Sequence, residues 1–145
     1  VKPDLLVHVS AAAEAAATAG SAGADRSPRV GADVVEVARV ERILSRWNTS
    51  FTRRCFTSEE ITYCEAKHQP AQHYAGRLAA KEAVYKALGC GGTEPFRPRS
   101  IEIAAGRTGS PSIQLSGDLA VRFPRASVSV SISHDGEYAV AVAIA

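Results

Sequence analysis

The chain has 145 residues, of which 46% are hydrophobic and 22% charged, with a formal net charge of +2. That balance suits one globular domain of modest core, and the charge is too small to argue for a nucleic-acid partner by itself. No apolar run reaches the roughly 20 residues that a membrane helix needs, and the first residues lack the basic and apolar regions of a signal peptide. Cys55, Cys64 and Cys90 are odd in number and show no C-x-x-C spacing. They read as reduced thiols of a cytoplasmic protein rather than a disulfide framework or a zinc site.

Residues 1–28 differ from the rest. Asp4 to Val9 reads as a short strand, and Ala11 to Ala24 is an Ala-rich linker or weak helix closed by Pro28. The domain proper is expected over 29–145. Val30 to Val35 reads as its first strand. Glu36 to Trp47 carries Val37, Val40, Ile43, Leu44 and Trp47 at helical spacing. Thr57 with Glu60 forms a capping-box signature for a second helix that ends before Pro70. The strongest helix runs from Ala71 to Leu88 and stops at Gly89. Strands follow at 100–104 and 112–115, then a short helix at 117–123. Ser127 to Ser133 alternates as a half-buried strand. A turn over His134 to Glu137 leads into a final apolar strand from Tyr138. This order predicts an α+β fold, with a mostly antiparallel sheet packed against the long helix.

Three features carry chemistry. Asp33 sits in an apolar strand, where it either caps the following helix or needs a cation or metal. On the long helix, Glu82 and Lys86 share one face, and Arg77 and Lys81 a neighbouring one. Taken alone that pattern describes a solvated helix laced with ion pairs. Ala75, Gly76, Ala79, Ala80 and Ala83, however, would let a backbone or ligand approach closely. His134, at a strand end after Ser131-Ile132-Ser133, can bond phosphate through a ring N–H. His8, His68 and His73 have no comparable context. Asp33 and Glu82 are the residue types that hold Mg²⁺ beside substrate phosphates, and Arg77, Lys81, Lys86 and His134 are those that hold a diphosphate. No Walker A loop and no G-x-G-x-x-G is present.

At these residues the sequence resembles the holo-acyl-carrier-protein synthase family of 4′-phosphopantetheinyl transferases. Gly31-Ala32-Asp33-Val34-Val35-Glu36 is similar to the family's G-x-D-x-x-E strand. Tyr74 to Gly89 (Y-A-G-R-L-A-A-K-E-A-V-Y-K-A-L-G) is similar to its R-F-A-A-K-E-A-x-x-K-A-L-G helix. Val130 to His134 (V-S-I-S-H) matches its third block, and Phe51 to Cys64 resembles its F-T-x-x-E-x-x-Y-C stretch. The resemblance implies Mg²⁺-dependent transfer of 4′-phosphopantetheine from coenzyme A to a serine of an acyl carrier protein, releasing 3′,5′-ADP. It implies Asp33 and Glu82 as metal ligands, and Glu82, Lys86 and His134 as catalytic groups. Arg77, Lys81, Lys86 and His134 would hold coenzyme A. It also implies a homotrimer with sites at subunit interfaces, and an acidic carrier protein docking on Arg39 with Arg42, Arg46, Arg53 and Arg54. Leu78 and Ala32 depart from the family pattern without removing a reacting group. The alternatives are a non-catalytic carrier-binding module of the same fold, or a transferase domain from a fatty-acid or polyketide megasynthase.

Overall fold

The computed structural model describes residues 27–91, 95–106 and 109–145; the expected strand at Asp4 to Val9 and the Ala-rich stretch lie outside them. Strand β1 (Val30–Glu36) leads into helix α1 (Val37–Cys55), then α2 (Ser58–Glu65) and α3 (Pro70–Ala87). A single 3-10 turn at Pro98–Ser100 precedes the hairpin β2 (Ile101–Ala105) and β3 (Pro111–Leu115). Helix α4 (Gly117–Arg122) and strands β4 (Ser129–His134) and β5 (Tyr138–Ile144) complete the described chain. All strand pairs are antiparallel. They form a sheet in the order β1-β5-β4 and a separate β2-β3 hairpin.

The α+β expectation holds, with one correction. The helix expected to end at Trp47 continues to Cys55 across a kink at Trp47, whose backbone leaves helical geometry (φ −135°, ψ 21°). Beyond the kink the helix buries Thr52 and packs Phe51 and Cys55 on the same core that Val37, Val40 and Leu44 meet from its first half. Capping is as the sequence implies. The Thr57 side chain accepts from the Glu60 backbone N–H, and the Glu60 carboxylate accepts from that of Thr57. Pro70 opens α3 at a position where its missing N–H costs nothing. Gly89, with φ 74°, takes the left-handed turn that ends it.

Helix α3 is the axis of the molecule. It has no single apolar stripe and is buried on most sides, its Ala79, Ala80, Ala83 and Val84 being fully covered. One core gathers α3, the hairpin, α4 and β5 around Ile101, Ile103, Leu119, Ala141 and Ala143. A second gathers α1, α2 and the start of α3 around Val40, Phe56, Cys64 and Tyr74. Small residues set the distance between sheet and helix. Ala139, Ala141 and Ala143 face α3 from β5, and a Cβ on Gly31 would strike the Ala83 carbonyl and stand 2.6 Å from the Ala87 nitrogen. On its other face the sheet exposes apolar residues from β1 and β5, while β4 presents Ser129, Ser131 and Ser133. Val30 opposes Ile144 and Ala32 opposes Val142, with Val30, Val142 and Ile144 each about two-fifths or more exposed (40%, 41% and 48%).

Candidate functional site

Residues alternate across β1, so Asp33 shares the α3-facing side with Gly31. The close approach that Gly31 permits brings Asp33 onto the last turns of α3. There the Lys86 ammonium donates to Asp33 Oδ1 at 2.9 Å and to the Ala32 carbonyl at 3.0 Å. Glu82, one turn earlier on the same face, stands against Asp33. Burial raises its pKa first. The Asp33 carboxylate adds repulsion and a shared hydrogen bond, while Lys86 and Arg39 pull the other way. The i,i+4 Glu82–Lys86 pair of a solvated helix is thus replaced by a tertiary cluster of Asp33, Glu82 and Lys86, with Arg39 at its edge. Two carboxylates held together with one satisfied cation form a set that a small divalent cation would neutralise. Mg²⁺ takes one or two protein carboxylates and fills the rest of its shell with phosphate and water. The donor set fits that ion, and no cluster of three or more His, Cys, Asp or Glu suited to another metal occurs among the described residues.

At the other end of α3 lies a cleft of about 340 Å³ between α3, β4 and the hairpin. Arg77 and His134 both line it. Arg77 is 7% exposed and stacks its guanidinium on the Tyr63 ring at 3.8 Å. Its Nε is the one buried side-chain polar atom among the described residues without a hydrogen-bond partner. Burying a donor unpaired is costly, and the orphaned Nε marks a place for an acceptor from outside the chain. His134 is exposed at the end of β4, its ring 6.0 Å from that of His73.

The expected coenzyme A contact at Lys81 is corrected by its burial. Its side chain is 0% exposed. Its ammonium donates to Glu60 Oε2 at 2.7 Å, to the Ile101 carbonyl at 2.6 Å and to the Pro98 carbonyl at 3.0 Å. An ammonium has three N–H groups, so none is left for a ligand. Burial lowers the Lys81 pKa, and Glu60 opposes that shift. Glu60 also accepts the Ile103 backbone N–H at 3.0 Å. In the sequence Glu60 shows only its capping role, and His73 and Tyr63 show no sign of the cleft, because their neighbours there are distant in the chain.

The arginines expected to meet a partner, Arg39, Arg42, Arg46, Arg53 and Arg54, are all exposed along α1. Arg42 reaches Glu36 at 3.7 Å, and Arg46 lies over the ring of Trp47, which is itself 59% exposed. No described helix is long and apolar enough to cross a membrane.

Residues 29–143 match the family model described as the 4′-phosphopantetheinyl transferase superfamily. The holo-[acyl-carrier-protein] synthase of Geotalea daltonii is 41% identical over 117 residues, covering 79% of this chain and 94% of the relative. That of Gloeobacter violaceus is 45% identical over 117 residues, covering 78% and 88%. The crystal structure of the Helicobacter pylori holo-[acyl-carrier-protein] synthase in complex with coenzyme A superposes with a TM-score of 0.70. It has 34% sequence identity and covers 80% of this chain and 99% of that one.

Proposed function

Since the chain belongs to the 4′-phosphopantetheinyl transferase superfamily over residues 29–143, we propose that it moves 4′-phosphopantetheine from coenzyme A to a serine hydroxyl of an acyl carrier protein, releasing 3′,5′-ADP. The observation that carries this reading is the meeting of Asp33 from β1 with Glu82 and Lys86 from α3 at a partly buried surface. Asp33 and Glu82 would hold Mg²⁺, and the chemistry such an ion supplies is neutralisation of charge on a bound diphosphate. Glu82, its proton affinity raised, is suited to accept the serine proton directly or through a water. Lys86, about half exposed, can swing from Asp33 to the phosphate under attack and stabilise the charge that develops there. Arg77 and His134 would hold coenzyme A in the cleft, the unpartnered Arg77 Nε finding its acceptor there.

The same proposal includes a homotrimer. Two facts support it: the exposed apolar side chains of β1 and β5 on the outer face of the sheet, and the placement of the Asp33 cluster and the His134 cleft at opposite edges of that sheet. A head-to-tail ring would bring one edge of each copy against the other edge of the next. Arg39 and its neighbours on α1 then offer a basic face, with Trp47 as an aromatic anchor, to an acidic carrier protein. Cytoplasmic residence suits the three free cysteines, and residues 1–28 form an extension outside the catalytic unit.

The test is the intact mass of an apo carrier protein after incubation with this chain, coenzyme A and Mg²⁺. The expected result is a gain of one phosphopantetheine, abolished by EDTA and strongly slowed by Glu82→Gln. Full transfer by Glu82→Ala would sink the assigned roles. A carrier protein that binds but gains no mass would leave a non-catalytic module.

A further inference from the structure

His73 lies one helical turn before Arg77 on α3, and both reach the same cleft. Its ring meets Tyr63 edge-on at 5.8 Å and His134 at 6.0 Å. The charged groups around it are cationic from every side. Lys67 comes from the segment after α2, Arg77 from α3 itself and His134 from β4. No carboxylate lines the cleft among the described residues. The nearest acids are engaged elsewhere. Asp135 accepts the backbone N–H groups of Glu137 and Tyr138, and Glu65 accepts the Tyr74 hydroxyl. The cleft is lined by His73, Arg77 and His134 and by no carboxylate among the described residues, a balance that suits an anion.

We propose that His73 is a further binding residue of this cleft, one that takes up a proton from solvent as a phosphate group enters and then donates to it as imidazolium. The inference rests on the reading that coenzyme A lies against Arg77 and His134. In the free protein, burial holds the His73 pKa below its ordinary value, and His134, Lys67 and Arg77 lower it further. An entering phosphate reverses the balance, because its negative charge favours the protonated ring. The bound-state pKa then exceeds the free one. The added affinity is full below the free pKa and is lost as pH rises through the bound one. No bond of the ligand is made or broken.

Calorimetric titration of coenzyme A into the whole chain, in buffers of different ionisation enthalpy, reads the proton directly. Wild type is expected to take up a fraction of a proton near neutral pH. Its affinity should fall about tenfold as pH rises from below the free His73 pKa to above the bound one, for a bound-state pKa about one unit higher. His73→Phe keeps an aromatic ring against Tyr63 and should bind with that uptake lost and the pH profile flattened. His73→Gln, a polar replacement, should behave likewise, which guards against a packing artefact of either change. Wild-type uptake retained in both variants overturns the proposal while Arg77→Ala and His134→Ala still weaken binding. If neither of those two variants weakens coenzyme A, the cleft is not its site, and the reading beneath the proposal falls with it.

Discussion

Two acid–lysine groupings share helix α3 through adjacent residues, and they have opposite characters. Lys81 turns inward to Glu60, and every polar atom of that pair is used. The carboxylate takes two backbone N–H groups and the ammonium, and the ammonium takes the carboxylate and two carbonyls. Glu82, the next residue, turns to Asp33. That grouping is unsaturated, since Lys86 satisfies Asp33 and Glu82 is left repelled and half-buried. The first ties the start of α2, the middle of α3, the 3-10 turn and β2 together. The second keeps an unmet demand for positive charge. Saturation separates a structural ion pair from a site, even where the residue types are the same.

The largest expected effect comes from breaking the saturated pair. Lys81→Met or Glu60→Leu alone leaves a buried charge uncompensated and should cost about 3–5 kcal/mol in urea unfolding. The double variant should recover part of that, giving less than the sum of the singles. Strict additivity would mean that the two side chains do not act as a pair. Next is Glu82→Gln, expected to lower transfer by about 10²–10⁴-fold while the protein melts at or above the wild-type temperature. A marked loss of stability would put Glu82 in the structural class with Glu60. Gly31→Ala comes third. Its Cβ meets α3 backbone rather than a flexible side chain, so β1 must move. A cost of about 1–3 kcal/mol should come with weaker Mg²⁺ binding as Asp33 withdraws. The smallest is a pH effect. The native pKa of Glu82 is raised, so wild type should lose stability relative to Glu82→Gln as pH rises from the ordinary carboxylate value through the native one. The difference should then level off, and a melting series in both proteins checks it. A constant difference across that range would mean that Asp33 and burial do not burden Glu82.

The sequence made one of these groupings visible and concealed the other. Asp33 stands out as a carboxylate among valines, although capping the following helix would also explain it, and the capping box at Thr57 and Glu60 is local chemistry that needs no tertiary contact. The boundaries of α3 follow in the same way from Pro70 and Gly89. The burial of Lys81 was hidden, since a lysine near Arg77 on a helix reads as solvated. Only the alanines around it hinted that every side of α3 is covered. The length of α1 was hidden because Asn48-Thr49-Ser50, after the kink at Trp47, are polar and weak helix formers. His73 carries no local signal, as its partners come from α2 and from the far edge of the sheet.

The pairing of β1 with β5 has a consequence for how the protein is made. The first and last strands of the described chain lie side by side, with Arg29 and Ala145 exchanging both backbone hydrogen bonds. Synthesis runs from one to the other, so β1 has no neighbour in the sheet until β5 has left the ribosome. Contacts of such long sequence separation form slowly. Through that interval Asp33 sits on an unpaired, valine-rich strand, where nascent chains are most prone to stick to one another. Asp33 is thus made early and put in place late.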